Sequence, residues 1–225
     1  MTRHCKGILI KLIIILITVV TNVTSSAAGS AELTAHHPLT MEEAVSAIEK
    51  HYQELTDLTA RVSQKNFLKT LGRTQEYEGM LWIKIPGKLR LEYTNGQLIL
   101  ISGKDALFYS KKSEQVIKKN FSDFAQMNIP VAFLLGAAHI HDDFDIRQPD
   151  PKSLNTFELL PRKAGAAMKK LEIQSDEIGR IKLIKIFDKF GNITEMLLTD
   201  IKEGIGIDDH LFVFKAPKGV EVIEQ

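Results

Sequence analysis

One cysteine, one tryptophan and four tyrosines stand in 225 residues, and each scarcity closes off a kind of chemistry. The cysteine is Cys5, ahead of an uncharged run from Leu12 to Val23. A lipid-modified cysteine would follow such a run, so Cys5 is not one. Beyond it the chain has no disulfide, no thiolate metal ligand and no cysteine nucleophile, and its stability must come from its core. With Trp82 as the one tryptophan, there is little on which single-stranded nucleic acid could stack. Charge of one sign is lacking too: 29 Lys+Arg face 28 Asp+Glu, a net charge of +1. Binding to nucleic acid in general needs a surplus of cations to displace counterions. There is no GxSxG elbow, no HExxH, no P-loop and no glycine-rich phosphate fingerprint after a strand. What is present is ordinary for a folded chain, 25% charged and 44% hydrophobic residues, which excludes wholesale disorder.

Arg3, Lys6 and Lys11 precede the apolar run, and Ser25, Ser26, Ala27, Ala28, Gly29, Ser30 and Ala31 follow it. A basic start, an apolar middle and a small-residue zone are the layout of a secretory signal peptide, expected here over residues 1–31. Cleavage is expected after Ala27, Ala28 or Ala31. The competing reading is an uncleaved membrane anchor, but the strongly apolar stretch falls short of the ~20 residues that span a bilayer. Removing three cations and no acid takes the net charge from +1 to −2. Residues 32–225 then suffice for one domain with a sizeable core.

Thr40-Met41-Glu42-Glu43 fits a capping box. Ala44, Val45, Ile48, Tyr52 and Leu55 follow at helical spacing, which predicts an amphipathic helix over 41–55. After Asp57 the period becomes two. Strands are expected at 60–64, 75–84, 88–94, 98–102, 106–110 and 114–118, with Pro86-Gly87 as one turn and Asn95-Gly96 as a tight hairpin. Phe121 to Ala138 breaks the rhythm and predicts one or two short helices with strongly apolar faces. Strand signals resume at 143–147, 156–160, 170–175, 180–188, 193–201 and 211–214. Regular strands with little helix between them predict a mostly antiparallel sheet, a mainly β (α+β) fold.

Several strands are apolar on both faces: Met80-Leu81-Trp82-Ile83, Leu98-Ile99-Leu100-Ile101 and Ile184-Lys185-Ile186-Phe187. A sheet wetted on one side would alternate. Either a sandwich core covers both faces, or a curved sheet has an apolar concave side closed by the 121–138 helices. The second arrangement makes a lipid-binding cavity. For catalysis the best candidate is His139, His141 and Asp143 in His139-Ile140-His141-Asp142-Asp143, with Asp145 nearby, as ligands of a metal-dependent hydrolase. A polar turn after an apolar helix explains the same residues. His36-His37 reads as solvated, and no triad is positioned. Lys111-Lys112 and Lys118-Lys119 read as a solvated hairpin, or as contacts to an acidic partner or membrane surface.

The chain resembles the LolA family of periplasmic carriers of outer-membrane lipoproteins, from about Met41 to Gln225. The markers are ordered rather than individually diagnostic. Gln64 closes the first strand, and Gly79-Met80-Leu81-Trp82-Ile83-Lys84 leads into Pro86-Gly87-Lys88-Leu89-Arg90-Leu91-Glu92-Tyr93. Ser102-Gly103-Lys104, Leu107-Phe108-Tyr109 and Gln115-Val116 follow. Pro130 precedes Phe133-Leu134-Leu135-Gly136. Later come Phe157-Glu158-Leu159-Leu160-Pro161, Asp188-Lys189-Phe190-Gly191-Asn192, Phe212-Val213-Phe214 and Pro217-Lys218-Gly219-Val220. The resemblance implies an incomplete antiparallel β-barrel of about eleven strands with a helical lid over an apolar cavity. It implies a non-enzymatic periplasmic monomer, without cofactor or metal. Such a carrier takes the acyl chains of lipoproteins from an inner-membrane ABC transporter and hands them to an outer-membrane acceptor or membrane. A carrier or sensor of another lipid or glycolipid on the same half-barrel is the alternative.

By shared parity through the turn, Ile83, Ile85, Leu89, Leu91 and Tyr93 are expected to line the concave face, with Val62 beside them. Phe124, Phe133 and Leu134 are expected on the lid. One position departs from the resemblance. Family carriers commonly have Arg immediately before the proline of the second-strand turn, resembling a latch that bonds the closed lid; here it is Ile85, which cannot donate.

Overall fold

Thr40 starts the first helix as a capping residue should. In the computed structural model, which describes residues 40–127, 129–136, 139–150, 153, 155–163 and 168–224, its hydroxyl accepts from Glu43 N at 3.2 Å and its own N–H donates to Glu43 Oε2 at 2.8 Å. The expected capping box therefore opens α1 (Met41–Glu54), whose Ala44, Val45, Ile48 and Tyr52 are buried. The expected signal peptide, His36-His37 and Ala138 lie outside the described residues.

Twelve strands follow: β1 (Asp57–Leu68), β2 (Arg73–Lys84), β3 (Lys88–Tyr93), β4 (Gln97–Ser102), β5 (Asp105–Ser110), β6 (Gln115–Asn120), β7 (Phe144–Arg147), β8 (Thr156–Pro161), β9 (Met168–Ser175), β10 (Ile181–Asp188), β11 (Ile193–Glu203) and β12 (Glu221–Glu224). They form one sheet in the order β12-β6-β5-β4-β3-β2-β1-β11-β10-β9-β8-β7. Every ladder is antiparallel except β12 on β6. The 121–138 interruption is two helices, α2 (Phe121–Met127) and α3 (Ile129–Gly136), and a single turn of helix, α4 (Ile140–Asp143), enters β7.

A flat sheet of this size would be about 50 Å wide at ~4.8 Å per strand. Sheets beyond about ten strands curl or split. Here the inner faces of β1 to β5 and of β7 to β11 share one apolar cluster with α1, α2, α3 and α4. The fold is an open, incomplete antiparallel barrel with helices against its concave side, twelve strands where the family resemblance implied about eleven.

The strands depart from expectation at the C-terminus, where one is lost and β12 is gained. Leu211–Phe214, expected to be a strand, is not one. Asp209–Phe212 is a 3-10 turn whose cap, Asp208, accepts from His210 N at 2.7 Å. The segment crosses the outer face of the sheet as a strap. Ile207 and Phe212 bury against Leu100, with Trp82, Leu107, Leu211 and Phe214 packed around them. The two-faced strands are thereby explained. Ile99 and Ile101 belong to the inner cluster, Leu100 to the outer one. The strap is pinned at its start by buried Asp57, whose carboxylate accepts from Ile205 N at 2.9 Å and Gly206 N at 3.1 Å. Lys84 Nζ donates to Ile207 O at 2.9 Å and Arg90 Nη1 to Leu211 O at 3.1 Å. Lys84 and Lys88 both reach Asp209, at 2.7 and 3.0 Å. These lysines hold the Asp209 carboxyl below its usual range.

Candidate lipid-binding face

The concave face is built by register. Ile83 stands opposite Leu89 and Leu91 opposite Leu81 across the β2–β3 ladder. Leu89 pairs onward with Ile101 and Leu91 with Ile99. On the other side Leu58 faces Ile83, Ala60 faces Leu81, and Val62 stands between Gly79 and Leu198. A period of two sends all of these to one side of the pleat. Val62, Ile83, Leu89 and Leu91 are fully buried and Tyr93 nearly so. Ile85, at the end of β2, is half-buried and packs against the same cluster. Its N–H donates to Thr56 O at 2.9 Å.

The lid candidates meet this surface. Phe124 of α2 and Phe133 and Leu134 of α3 are buried in the same cluster. Phe133 also sets its ring edge-on to Phe144 at 6.1 Å. Each large aliphatic or aromatic side chain so buried is worth roughly 1.5–3 kcal/mol relative to exposure. A groove of about 730 Å³ opens instead on the outer face, lined by Met80, Trp82, Arg90, Leu98, Tyr109 and Phe214 among others. Of the expected lining residues only Tyr93 borders it.

Two contributions were absent from the sequence reading. The first is α1. Its amphipathic face was legible, but not that Val45, Ile48 and Tyr52 bury against the concave side. The turn before β10 approaches it so closely that a Cβ on Gly179 would lie 2.6 Å from Ala47 O. The second is the far half of the sheet, where Ile184 pairs with both Met196 and Ile173, and Ile173 with Phe157.

One end of the concave face is polar. Tyr93 Oη donates to Gln64 Oε1 at 2.7 Å, and Gln64 Nε2 to Asn66 Oδ1 at 2.9 Å. The rings of Tyr77 and Tyr93 lie 5.6 Å apart. Burial, and then the neighbouring Tyr77, push the Tyr93 hydroxyl above its ordinary pKa, so it is a neutral donor. Gly79 leaves room there, since a Cβ would lie 2.5 Å from Glu92 O.

His139, His141 and Asp143 do not converge. His141 turns to α1, with Nδ1 2.7 Å from Glu49 and Nε2 2.9 Å from Glu42. His139 pairs with Asp142 at 3.6 Å and Asp143 with Lys163 at 3.9 Å. Among the described residues no cluster of three or more His, Cys, Asp or Glu is arranged to hold a metal ion. Of the lysine pairs, Lys118 bonds Glu224 of β12 at 3.0 Å and Lys111 borders the outer groove.

The family model of the outer membrane lipoprotein carrier protein LolA matches residues 53–215. The chain belongs to the LolA family. The outer-membrane lipoprotein carrier protein of Methylococcus capsulatus is 31% identical over 74% of this chain and 83% of its own. That of Legionella pneumophila is 26% identical over 84% of this chain and 94% of its own. Among solved structures, an uncharacterized conserved protein from Thermus thermophilus superposes with a TM-score of 0.50 at 14% identity, over 82% of this chain and 98% of that one. That likeness concerns the fold alone. Within the LolA family resemblance, the Arg that precedes the turn proline is Ile85 here, and the structure gives this position only a backbone bond and apolar contacts.

Proposed function

We propose that this chain is a periplasmic carrier of lipoproteins, non-catalytic and monomeric, exported by its first 31 residues. It binds the acyl chains of lipoproteins released from the inner membrane by an ABC transporter. It then delivers them to an acceptor at the outer membrane or to that membrane itself. Membership of the LolA family and the names of its carrier relatives support the cargo. The observation that carries the mechanism is the single apolar cluster shared by the sheet's inner face and α2 and α3.

Sheet and helices bury each other's apolar faces. A cargo must displace the helices' apolar faces from the sheet before its own chains take their place. Burying acyl chains is favourable by ~0.8 kcal/mol per CH₂. Part of that is spent exposing Phe124, Phe133 and Leu134. The net affinity is therefore lower than the chain length alone would give, which is what a carrier needs if it is to release as well as hold.

Mass spectrometry of the protein recovered from the periplasm tests the cargo. Co-purifying lipoproteins or their acyl chains are expected; another lipid class would replace the cargo assignment. The lining is tested by the fluorescence of an apolar probe. Leu89→Glu should abolish probe binding, and Val62→Phe, which fills space without adding charge, should weaken it. Two folded variants that bind the probe like the parent would overturn the lining.

A further inference from the structure

The β1–β2 hairpin outruns its neighbour. Gly79 is the last β2 residue to pair with β3, opposite Tyr93. Arg73 to Glu78 therefore extend about 20 Å beyond the end of β3 at ~3.4 Å per residue. The β10–β11 hairpin runs out beside it, with Phe67 opposite Ile193. The two tips are joined: Lys69 N donates to Asn192 Oδ1 at 3.0 Å. A Cβ on Gly191 would lie 2.5 Å from Lys69 Cδ, so the lysine stem rests on the other turn.

This joint tip exposes large apolar side chains. Phe190 is 80% exposed, Leu71 59% and Phe67 37%. Phe190 is held out by a rigid turn rather than a loose one. Asp188 Oδ1 accepts from Phe190 N and Asn192 N, both at 2.8 Å, and Oδ2 accepts from Asn192 Nδ2 at 2.7 Å. Lys69, Arg73 and Lys189 lie within two residues of the apolar apices along the chain, and the one acid in residues 67–73 and 188–192 is Asp188, occupied by those turn bonds.

We infer that the joined tips of the β1–β2 and β10–β11 hairpins are a docking surface for an anionic lipid bilayer, with Phe190 and Leu71 entering the interface and Lys69, Arg73 and Lys189 meeting headgroups. Exposed apolar side chains flanked by cations suit a planar interface of lipid headgroups and acyl chains. The chain's net charge after the N-terminal segment is slightly negative, so the attraction is local to this tip. Gln64 and Tyr77, at the polar end of the concave face, are on the same hairpin and would be brought toward the membrane. The inference does not rest on the carrier reading, because interior probe binding and vesicle binding report on different surfaces.

The test is flotation of the protein recovered from the periplasm with phosphatidylcholine vesicles, with and without phosphatidylglycerol. Binding is expected with phosphatidylglycerol and should weaken as salt rises. Phe190→Ser with Leu71→Ser should reduce it about tenfold or more. Lys69→Gln and Lys189→Gln should each reduce it about fivefold. Val213→Ser, at an exposed site on the strap, should leave it unchanged. All variants share one N-terminus, so that segment cannot account for a difference between them, and interior probe binding should be retained in each. Failure of the parent to bind anionic vesicles, as expected of a tip serving a protein partner, or equal binding by folded tip variants, would overturn the inference.

Discussion

One carboxylate on α1 grips both the backbone and the ring of a residue 92 positions away: Glu49 Oε1 accepts from His141 N at 2.7 Å and Glu49 Oε2 lies 2.7 Å from His141 Nδ1. Glu42, about two turns earlier on the same helical face, stands 2.9 Å from Nε2. The segment that follows α2 and α3 is thus bolted to the N-terminal helix. Burial disfavours a charged His141, but the bond to Glu49 and the charges of Glu49 and Glu42 outweigh it, and its pKa is raised above the ordinary histidine value.

A raised folded-state pKa stabilises the fold when the imidazole is protonated. That contribution is fully present below the unfolded histidine pKa of about 6.5, and it is lost as pH rises through the raised folded value. Thermal melts of the parent should show this decline as pH rises above about 6.5, and Glu49→Gln should flatten it. An unchanged pH slope in Glu49→Gln would remove His141 as its source.

Ile85 gives a second prediction. Gly103 N donates to Gly87 O at 2.9 Å and Phe121 N to Lys104 O at 2.7 Å. The β2–β3 turn, the β4–β5 turn and the start of α2 are therefore stacked at one end of the sheet. An arginine at 85 would stand at this end of the sheet, two residues before Gly87. Ile85→Arg should slow release of an apolar probe about tenfold, the effect of ~1–2 kcal/mol of added hydrogen bonding. Unchanged stopped-flow release rates would mean that this end does not gate the interior.

The strap supplies the third. Asp57 is 4% exposed and its carboxylate satisfies two backbone amides. Asp57→Ala leaves both without partners and should cost about 1–3 kcal/mol. Denaturant titration reads this loss. Hydrogen exchange should rise first in residues 204–214, and a uniform rise would show that the strap is not a separate unit.

Gly179 supplies the fourth. Its φ is +89°, and an added Cβ would meet the α1 backbone. Gly179→Ala should destabilise the protein by more than ~1 kcal/mol through both strain and displacement of α1. A melting temperature equal to the parent's would show that α1 is free to shift.

The sequence made half of this fold legible because its signals are local. Leu89, Leu91 and Tyr93 alternate, Asn95-Gly96 turns the chain, and Thr40 caps with Glu43; each depends on neighbours a few residues away. The two-faced run Leu98–Ile101 announced that both sides needed cover. What covered the outside was illegible, because Phe212 packs there through contacts over 100 residues distant. Leu211–Phe214 looked like a strand for the same reason, its apolar residues serving a strap. Glu221–Glu224, half of it acidic, carried little strand signal and is a strand by pairing with Gln115–Lys118. His141 read as a polar turn residue, since nothing in its own stretch points to Glu42 and Glu49. At the tip, Phe190 stood out only as part of the marker Asp188-Lys189-Phe190-Gly191-Asn192.

The sheet is a ribbon with two ends, β12 and β7, and among the described residues no ladder joins them. In a closed ring of strands the circumference is fixed by strand number and stagger, and admitting a larger guest means breaking backbone bonds. A ribbon has no such constraint. Its radius is a soft coordinate, changed by small increments of twist shared over eleven ladders while each ladder stays intact. Guests of different girth would then differ in how far the gap between Glu221–Glu224 and Phe144–Arg147 spreads, so that the width of that seam becomes a gauge of what is inside.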